Sequence, residues 1–307
     1  VASNNNGNWR TAARWQRLLS RCGPVRIQQR WDGEPASAII ALNGRRLAEP
    51  IARFREARPD APLAVVLTGT DLYAPGGPDP AVRHSLQCAS HIVVLQAQAL
   101  QRLDAEQRAK ARVILQSAPR LHRNDRSRRS FDFVAVGHLR DEKDPLTLMA
   151  AARLLNGDAG LRIVHIGAAL DPILGDAARR TLQDCPPYRW LAGLPAPATR
   201  CWIARARALV HMSRLEGGAH VVIEALRSGV PVLASAIDGN IGLLGDDYAG
   251  YFPVGDTAAL AALMRRFRAE PVFAARLQAQ CALREPLFEP AAEAAALSAL
   301  RADMLNR

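Results

Sequence analysis

"ALVHMSRLEGGAHVVIEALRSGVPVLAS", residues 208–235, decides the fold. An apolar run at 208–212 is followed by a turn holding Gly217, Gly218 and Ala219. An amphipathic segment with Val221, Val222 and Ala225 comes next, and a second apolar run, "PVLAS", closes the stretch at 231–235. Strand, turn, helix and strand in this order make a parallel α/β unit. The first N–H groups of such a helix lack partners and carry about half a unit of positive charge, so the turn suits a phosphate or diphosphate. Glycine lets the anion approach the backbone. Glu216 and Glu224 flank this turn, and a carboxylate against a phosphate would be repelled, so both are expected to serve neutral hydroxyls instead. A nucleotide sugar carries hydroxyls on both sides of its diphosphate, and one carboxylate can accept from two neighbouring hydroxyls. A plain helix start with acids in its first turn accounts for one glutamate but poorly for the glycine pair.

The same alternation runs through the chain. Strands are expected near 25–31, 37–42, 63–69, 91–96 and 112–116, then near 131–137, 162–168, 208–212, 231–235 and 250–254, with helices between. The Arg-rich stretch "RLHRNDRSRRS" (120–130) separates the two series and reads as a solvated linker. The expected fold is α/β, with two Rossmann-like doubly wound domains whose strand ends face a cleft. The first domain is placed at 1–127 and the second at 128–287, with a C-terminal helix at about 288–307 packing back on the first. The chain begins at Val1 rather than Met, so a first strand is expected to be trimmed or to begin just there.

With 307 residues, 49% of them hydrophobic, the chain can build two cores. No apolar run reaches the ~20 residues that span a bilayer, and the polar, Arg-bearing start lacks a signal-peptide core, which predicts a cytoplasmic protein. The net charge of +11 is dispersed, and its one dense run has no interleaved aromatic residues, so a nucleic-acid partner is not expected. Five cysteines form no Cys-x-x-Cys pair and no disulfide framework. His84, His91, His122, His165 and His211 show no ligand spacing, so no metal is expected. Neither a Gly-x-Gly-x-x-Gly nor a Walker loop occurs, which argues against dehydrogenases and P-loop enzymes and leaves no cofactor to expect. Lys110 and Lys143 are the only lysines in a chain that otherwise uses arginine, which draws attention to Lys143.

The Glu-x7-Glu spacing, the glycines after Glu216 and the segment "EALRSGVPVLAS" resemble the C-terminal half of GT-B glycosyltransferases of the family-4 type. "VGHLRDEKDP" (136–145) looks like that family's Gly-Arg-Leu…Glu-Lys-Gly signature, with Lys143 on the lysine and His138 where an arginine is usual. The resemblance implies a UDP-sugar donor. Lys143, with Arg140 as the substitute positive charge, would offset charge on the departing diphosphate. His138 would donate to a phosphate oxygen. Glu216 would meet sugar hydroxyls and Glu224 the ribose, the amides of Gly217, Gly218, Ala219, His220 and Val221 would face the diphosphate, and Leu191 would lie near the uracil.

In the first half, "NNGNWRTAARWQRLLS" (5–20) reads as a turn into a helix start, offering Gly7, Asn8, Arg10 and Arg14 to an anionic acceptor. "VLTGTDLY" (66–73) places Thr68, Thr70 and Asp71 at the end of a strand, where family-4 enzymes commonly carry a histidine. Asp71 has two readings, an acceptor-positioning group or a helix cap. These segments, with "GNIGLLGDDYAGYFPVGD" (239–256), resemble a selenosugar synthase subgroup. That resemblance implies transfer of N-acetylglucosamine or glucose from UDP to selenophosphate. The alternative is a UDP-sugar transferase acting on a carbohydrate or another small acceptor. The sequence leaves the oligomeric state open.

Overall fold

In a computed structural model, residues 7–74, 76–77, 79–121, 125, 127 and 129–306 are described. Asn5, Asn6 and His122, and with His122 much of the Arg-rich linker, lie outside them. The chain divides into two compact units. Unit 1 comprises Val1–Ser117, Glu216–His220 and Leu287–Arg307, and unit 2 comprises Ala118–Leu215 and Val221–Pro286.

Unit 1 is built on strands β1 (Ile39–Leu42), β2 (Leu63–Val66), β3 (His91–Val94) and β4 (Ala111–Val113), all parallel and in that order. Its helices are α1 (Gly7–Leu19), α2 (Ala48–Ala57), the single turn α3 (Gly69–Leu72), α4 (Pro80–Cys88) and α5 (Ala105–Ala109). Alternation along β2 assigns its side chains to two cores, as a strand's two-residue period requires. Leu63 and Val65 join Ile51 and Phe54 of α2 and Val82 and Leu86 of α4 on one face. Ala64 and Val66 join Trp15 and Leu19 of α1 on the other. Covered on both faces, β2 is apolar at every position, the mark of a buried parallel strand.

Residues 25–31 do not form the expected strand. Their alternation is real, since Val25 and Ile27 are half-buried between exposed neighbours, but among the described residues no ladder partner lies alongside. Trp31 instead stacks edge-on against Phe54, and its indole N–H donates to the Glu34 carbonyl.

Unit 2 contains strands β5 (Phe131–Val136), β6 (Leu161–Ile166), β7 (Tyr188–Trp190), β8 (Ala208–His211), β9 (Val232–Ser235) and β10 (Tyr251–Phe252). They form one parallel sheet in the order β10-β9-β8-β5-β6-β7. Helices α6 (Pro145–Leu154), α7 (Pro172–Asp184), α8 (Ala196–Arg205), α9 (His220–Arg227), α10 (Asp238–Leu244), α11 (Thr257–Ala269) and α12 (Pro271–Arg284) make the connections. This is the doubly wound order in which the chain reverses direction on either side of its first strand, so the switch point falls between β5 and β8. Strand β7 was not anticipated. Three residues around one buried tyrosine are too short a run to show a period.

The final helix, α13 (Pro290–Leu305), packs Leu297, Leu300 and Met304 into the second core of unit 1, beside Trp15 and Leu19. Its Glu293, 1% exposed, is the polar hub of that core. The carboxylate accepts from Arg14 Nε at 2.8 and 3.1 Å, Trp15 Nε1 at 2.7 Å, Ser117 N at 3.0 Å and Ser117 Oγ at 2.5 Å. Such a buried charge is tolerated because an opposite charge and several donors replace its water. Among the described residues no helix is long and apolar enough to cross a membrane. Glu293→Ala leaves Arg14 buried without its counter-charge, and urea denaturation is expected to show a loss of about 3–5 kcal/mol. A loss below about 1 kcal/mol, the value of an exposed pair, would contradict the hub role.

Candidate functional site

In unit 2 the loop leaving β5 is fixed by backbone hydrogen bonds to the loop leaving β6. Gly137 N donates to Ile166 O and Leu139 N to Ala168 O, both at 2.9 Å, and the Leu139 carbonyl accepts from Leu170 and Asp171. The two loops pass so closely that a Cβ on Gly167 would lie 1.8 Å from the Gly137 carbonyl oxygen, a contact only glycine permits. Ala168 N also donates to Nδ1 of His138 at 3.1 Å. A ring nitrogen that accepts carries no proton, so the His138 proton sits on Nε2 and the side chain presents a neutral donor there.

Lys143 closes a short 3₁₀ turn, Asp141–Lys143, and its aliphatic stem lies alongside Gly137. Asp144 follows in the left-handed region at φ 46° and is 1% exposed. It accepts from Thr147 Oγ1 at 2.7 Å and from Arg214 Nη2 at 3.2 Å. Arg214 N also donates to the Glu142 carbonyl at 2.9 Å, so Arg214 ties the loop after β8 to the loop after β5 across the switch point. Arg214 had no motif to mark it. Arg140, the expected substitute charge, stands 3.6 Å from Glu142 with 41% of its side chain exposed, a geometry in which ion pairs are weak.

On the other side of β5, Leu191 follows β7, its N–H donating to the His165 carbonyl at 2.9 Å. Trp190 Nε1 reaches the Gly167 carbonyl at 2.8 Å, which fixes the Leu191 loop to the same glycine. His165 is fully buried and its Nδ1 meets the Tyr188 hydroxyl at 2.8 Å. Val221 and Glu224 lie on α9. Glu224 is 6% exposed, with Arg200 Nε 3.9 Å from its carboxylate.

Unit 1 holds Glu216, Gly217, Gly218, Ala219 and His220. A Cβ on Gly217 would stand 2.6 Å from Gly69 N, and one on Gly69 would stand 2.9 Å from Gly217 N. Two backbones therefore touch at this point, and each needs glycine. Half-buried His220, the first residue of α9, has Nε2 3.2 Å from both Arg14 Nη1 and the Ser117 carbonyl. Arg14 thus spans from Glu293 to His220 and has 12% of its side chain exposed. Gly7, Asn8 and Arg10 lie on the first turn of the same helix, and Thr11 Oγ1 donates back to the Gly7 carbonyl at 3.0 Å.

Thr68, Thr70 and Asp71 meet at the end of β2. Asp71 accepts from Thr68 N at 2.8 Å, Thr68 Oγ1 at 2.9 Å and Arg45 N at 3.1 Å, and is completely buried. Burial pushes its carboxyl pKa up while these donors pull it down. Of the two readings of Asp71, this arrangement is that of a cap whose oxygens hold its own turn. Asn43, missed in the sequence, donates to Thr68 Oγ1 at 2.7 Å and Thr70 Oγ1 at 3.2 Å from a left-handed backbone at φ 83°. The Asn-Gly pair at 43–44 was its available signal, since that dipeptide marks such turns. Among the described residues no group of three or more His, Cys, Asp or Glu side chains is placed to hold a metal ion.

The chain carries two parallel α/β sheets, of which only the second reverses direction at a switch point with glycine-lined loops while the first runs β1-β2-β3-β4 one way, and the fold is GT-B. The glycosyl transferases group 1 family matches residues 118–282, more than half of the chain, and the chain belongs to that family. A curated relative, glycosyltransferase 1 domain-containing protein 1 of Xenopus tropicalis, is 29% identical over 119 residues, covering 38% of this chain and 34% of its own length. The chain therefore spans about a third of that relative. Among solved structures, sucrose-phosphate synthase of Thermosynechococcus elongatus superposes with a TM-score of 0.73 at 17% identity, over 88% of this chain and 74% of the other. The pneumococcal O-GlcNAc transferase GtfA, solved with UDP and GlcNAc, gives 0.70 at 16% identity, over 88% and 57%. Anabaena HepE with UDP gives 0.69 at 17% identity, over 87% and 79%.

Burial lowers the His165 pKa from its ordinary 6.5 to about 4. A lowered folded value means that the unfolded chain takes up the proton first. Its contribution is complete above pH about 6.5 and is lost as the pH falls from there toward about 4. Melting temperatures across that window are expected to fall less steeply in His165→Gln than in the wild type. Parallel profiles would show that His165 is not a buried neutral group.

Proposed function

We propose that this protein is a glycosyltransferase that moves N-acetylglucosamine or glucose from a UDP-sugar to selenophosphate. The observation that carries the donor half is the switch point of unit 2, where backbone bonding fixes the β5 loop with His138 and Lys143. Ligands of open α/β sheets bind outside the strand ends at such a point. The UDP in the pneumococcal and Anabaena structures agrees with a uridine nucleotide as the donor's carrier.

In this reading Glu224 accepts from the ribose hydroxyls and Glu216 from the sugar. Leu191 lies by the base, and the Gly217–Val221 amides take the diphosphate. Lys143 places a fixed positive charge where the C1–O bond to UDP breaks. It acts mostly on the transition state, because that oxygen gains charge as the bond lengthens. His138, a neutral donor, adds a hydrogen bond without adding charge. Arg140 serves as a secondary cation.

The acceptor half rests on the sequence motifs shared with selenosugar synthases and on Gly7, Asn8 and Arg10 at the start of α1. Thr70, at the end of β2, accepts from Asn43 and is the further polar group of this reading. Selenium attacks C1 with its lone pair, UDP departs with the bonding electrons, and water then cleaves the P–Se bond to leave the selenosugar and phosphate. An anionic nucleophile needs no general base, which fits Asp71 serving as a cap. Arg14 is the expected acceptor ligand that fits least, since Glu293 and His220 already engage it. This favours keeping a neutral carbohydrate acceptor as the second reading.

Mass spectrometry of UDP-N-acetylglucosamine or UDP-glucose incubated with selenophosphate and the protein is expected to show the selenosugar and free UDP. A product formed only with an added carbohydrate would select the second reading, and no UDP release with any acceptor would refute both. Lys143→Ala is expected to lower kcat about 100-fold or more while UDP affinity changes less than about threefold. Equal losses in both would remove Lys143 from the transition state.

A further inference from the structure

We propose that Arg214 is a positioning residue that holds the strained turn at Asp144, and through it Lys143, in the geometry that offsets charge on the departing UDP. The effect on turnover rests on the function proposed above, whereas the hold on the turn rests on the geometry alone.

Asp144 has a backbone that its own chemistry and its neighbour both oppose. At φ 46° it lies in the left-handed region, which glycine enters freely and a residue with a Cβ seldom does. Pro145 follows directly, and a proline ring pushes the residue before it toward extended backbone. Left to local preference, the chain would straighten here. That would swing Lys143 away from Gly137, along which its aliphatic stem lies. Such a conformation persists only where its surroundings over-determine it.

Three bonds to Asp144 do so. Its N–H donates to the Asp141 carbonyl at 3.0 Å, and Thr147 Oγ1 donates to its Oδ2 at 2.7 Å. Both of these partners belong to the turn itself or to α6, the helix it opens. The third bond, from Arg214 Nη2 to Oδ1 at 3.2 Å, comes from the loop after β8, 70 residues along the chain. Arg214 also donates its N–H to the Glu142 carbonyl at 2.9 Å and brings Nη1 to 3.8 Å from Asp141. It thus reaches Asp141, Glu142 and Asp144, the residues on both sides of Lys143.

Only 2% of the Asp144 side chain is exposed. Without the guanidinium its carboxylate would keep a single side-chain donor, Thr147, and a buried carboxylate short of partners is costly. Opening the turn relieves this cost and the backbone strain together, because it carries the carboxylate toward water and Asp144 toward extended backbone. The ion pair therefore opposes both tendencies at once, one residue away from the lysine.

The full chain labelled with 15N-lysine gives two backbone amide signals, from Lys110 and Lys143, and the second is assigned by its loss in Lys143→Arg. Arg214→Met is expected to move or split the Lys143 signal while Lys110 stays in place. It is also expected to lower kcat about tenfold with UDP affinity changed less than about threefold. Made on top of Asp144→Gly, which takes the left-handed turn without strain, the same substitution is expected to lower kcat less than about twofold. An unmoved Lys143 signal overturns the proposal. So do equal effects of Arg214→Met in the two backgrounds, which would mean that Arg214 acts other than through the turn. Should Arg214→Met fail to fold, Asp144→Ala and Asp144→Gly decide, since both lose the ion pair and only glycine keeps the turn. The alanine variant is expected to turn over about tenfold more slowly than the glycine variant, and equal rates overturn the proposal. A Lys143 signal that responds to Arg214→Met in a protein that releases no UDP with any acceptor would refute the proposed function and leave the hold on the turn standing.

Discussion

Parallel pairing on both sides of β5 is the constraint on which the C-terminal unit depends. With β6 on one side and β8 on the other, the connections leave β5 and β8 in opposite directions, and their loops separate at the strand ends. The sheet alone would leave those loops loose. Backbone bonds between Gly137–Leu139 and the loop after β6, and the Arg214 bridge to Glu142 and Asp144, convert the opening into a fixed frame. His138 and Lys143 inherit their positions from that frame, the kind of fixed placement that the proposed charge stabilisation would require.

Charge is distributed with the same economy. Cationic side chains divide here into two kinds. Lys143, which the sequence singled out, is an ammonium on a short turn, while Arg14 and Arg214 spend donors on buried carboxylates. Buried carboxylates are costly unless paired and hydrogen-bonded, and each of these arginines offsets that cost. Glu293 shows the scale of this, since one carboxylate orders α1, the end of the first chain segment at Ser117, and through Arg14 the ring of His220.

Strand positions and the glycine turn after β8 were legible because they depend on local pattern. The apolar runs at 63–69, 91–96, 131–137 and 208–212 needed no partner to be recognised, and the Gly217–Gly218 turn between two glutamates stood out by its spacing. Residues 25–31 had the alternation of a strand without a neighbour, and Tyr188–Trp190 had the neighbour without a readable alternation. Asp71 sat in the right place for either of its readings, and only the count of donors around its oxygens separates them.

The sequence by itself determined the fold class, the division into two α/β halves and the glycine turn between β8 and α9, because periodicity and glycine spacing are properties of neighbours in the chain. Tertiary structure alone decided what Arg14, Arg214, Asn43 and Glu293 do. Their partners lie tens to hundreds of residues away, and a hydrogen bond between Arg14 and Glu293 leaves no trace in the residues on either side of them. The protonation of His138 belongs to the same category, since a ring nitrogen takes its role from whichever donor or acceptor the fold brings within about 3 Å.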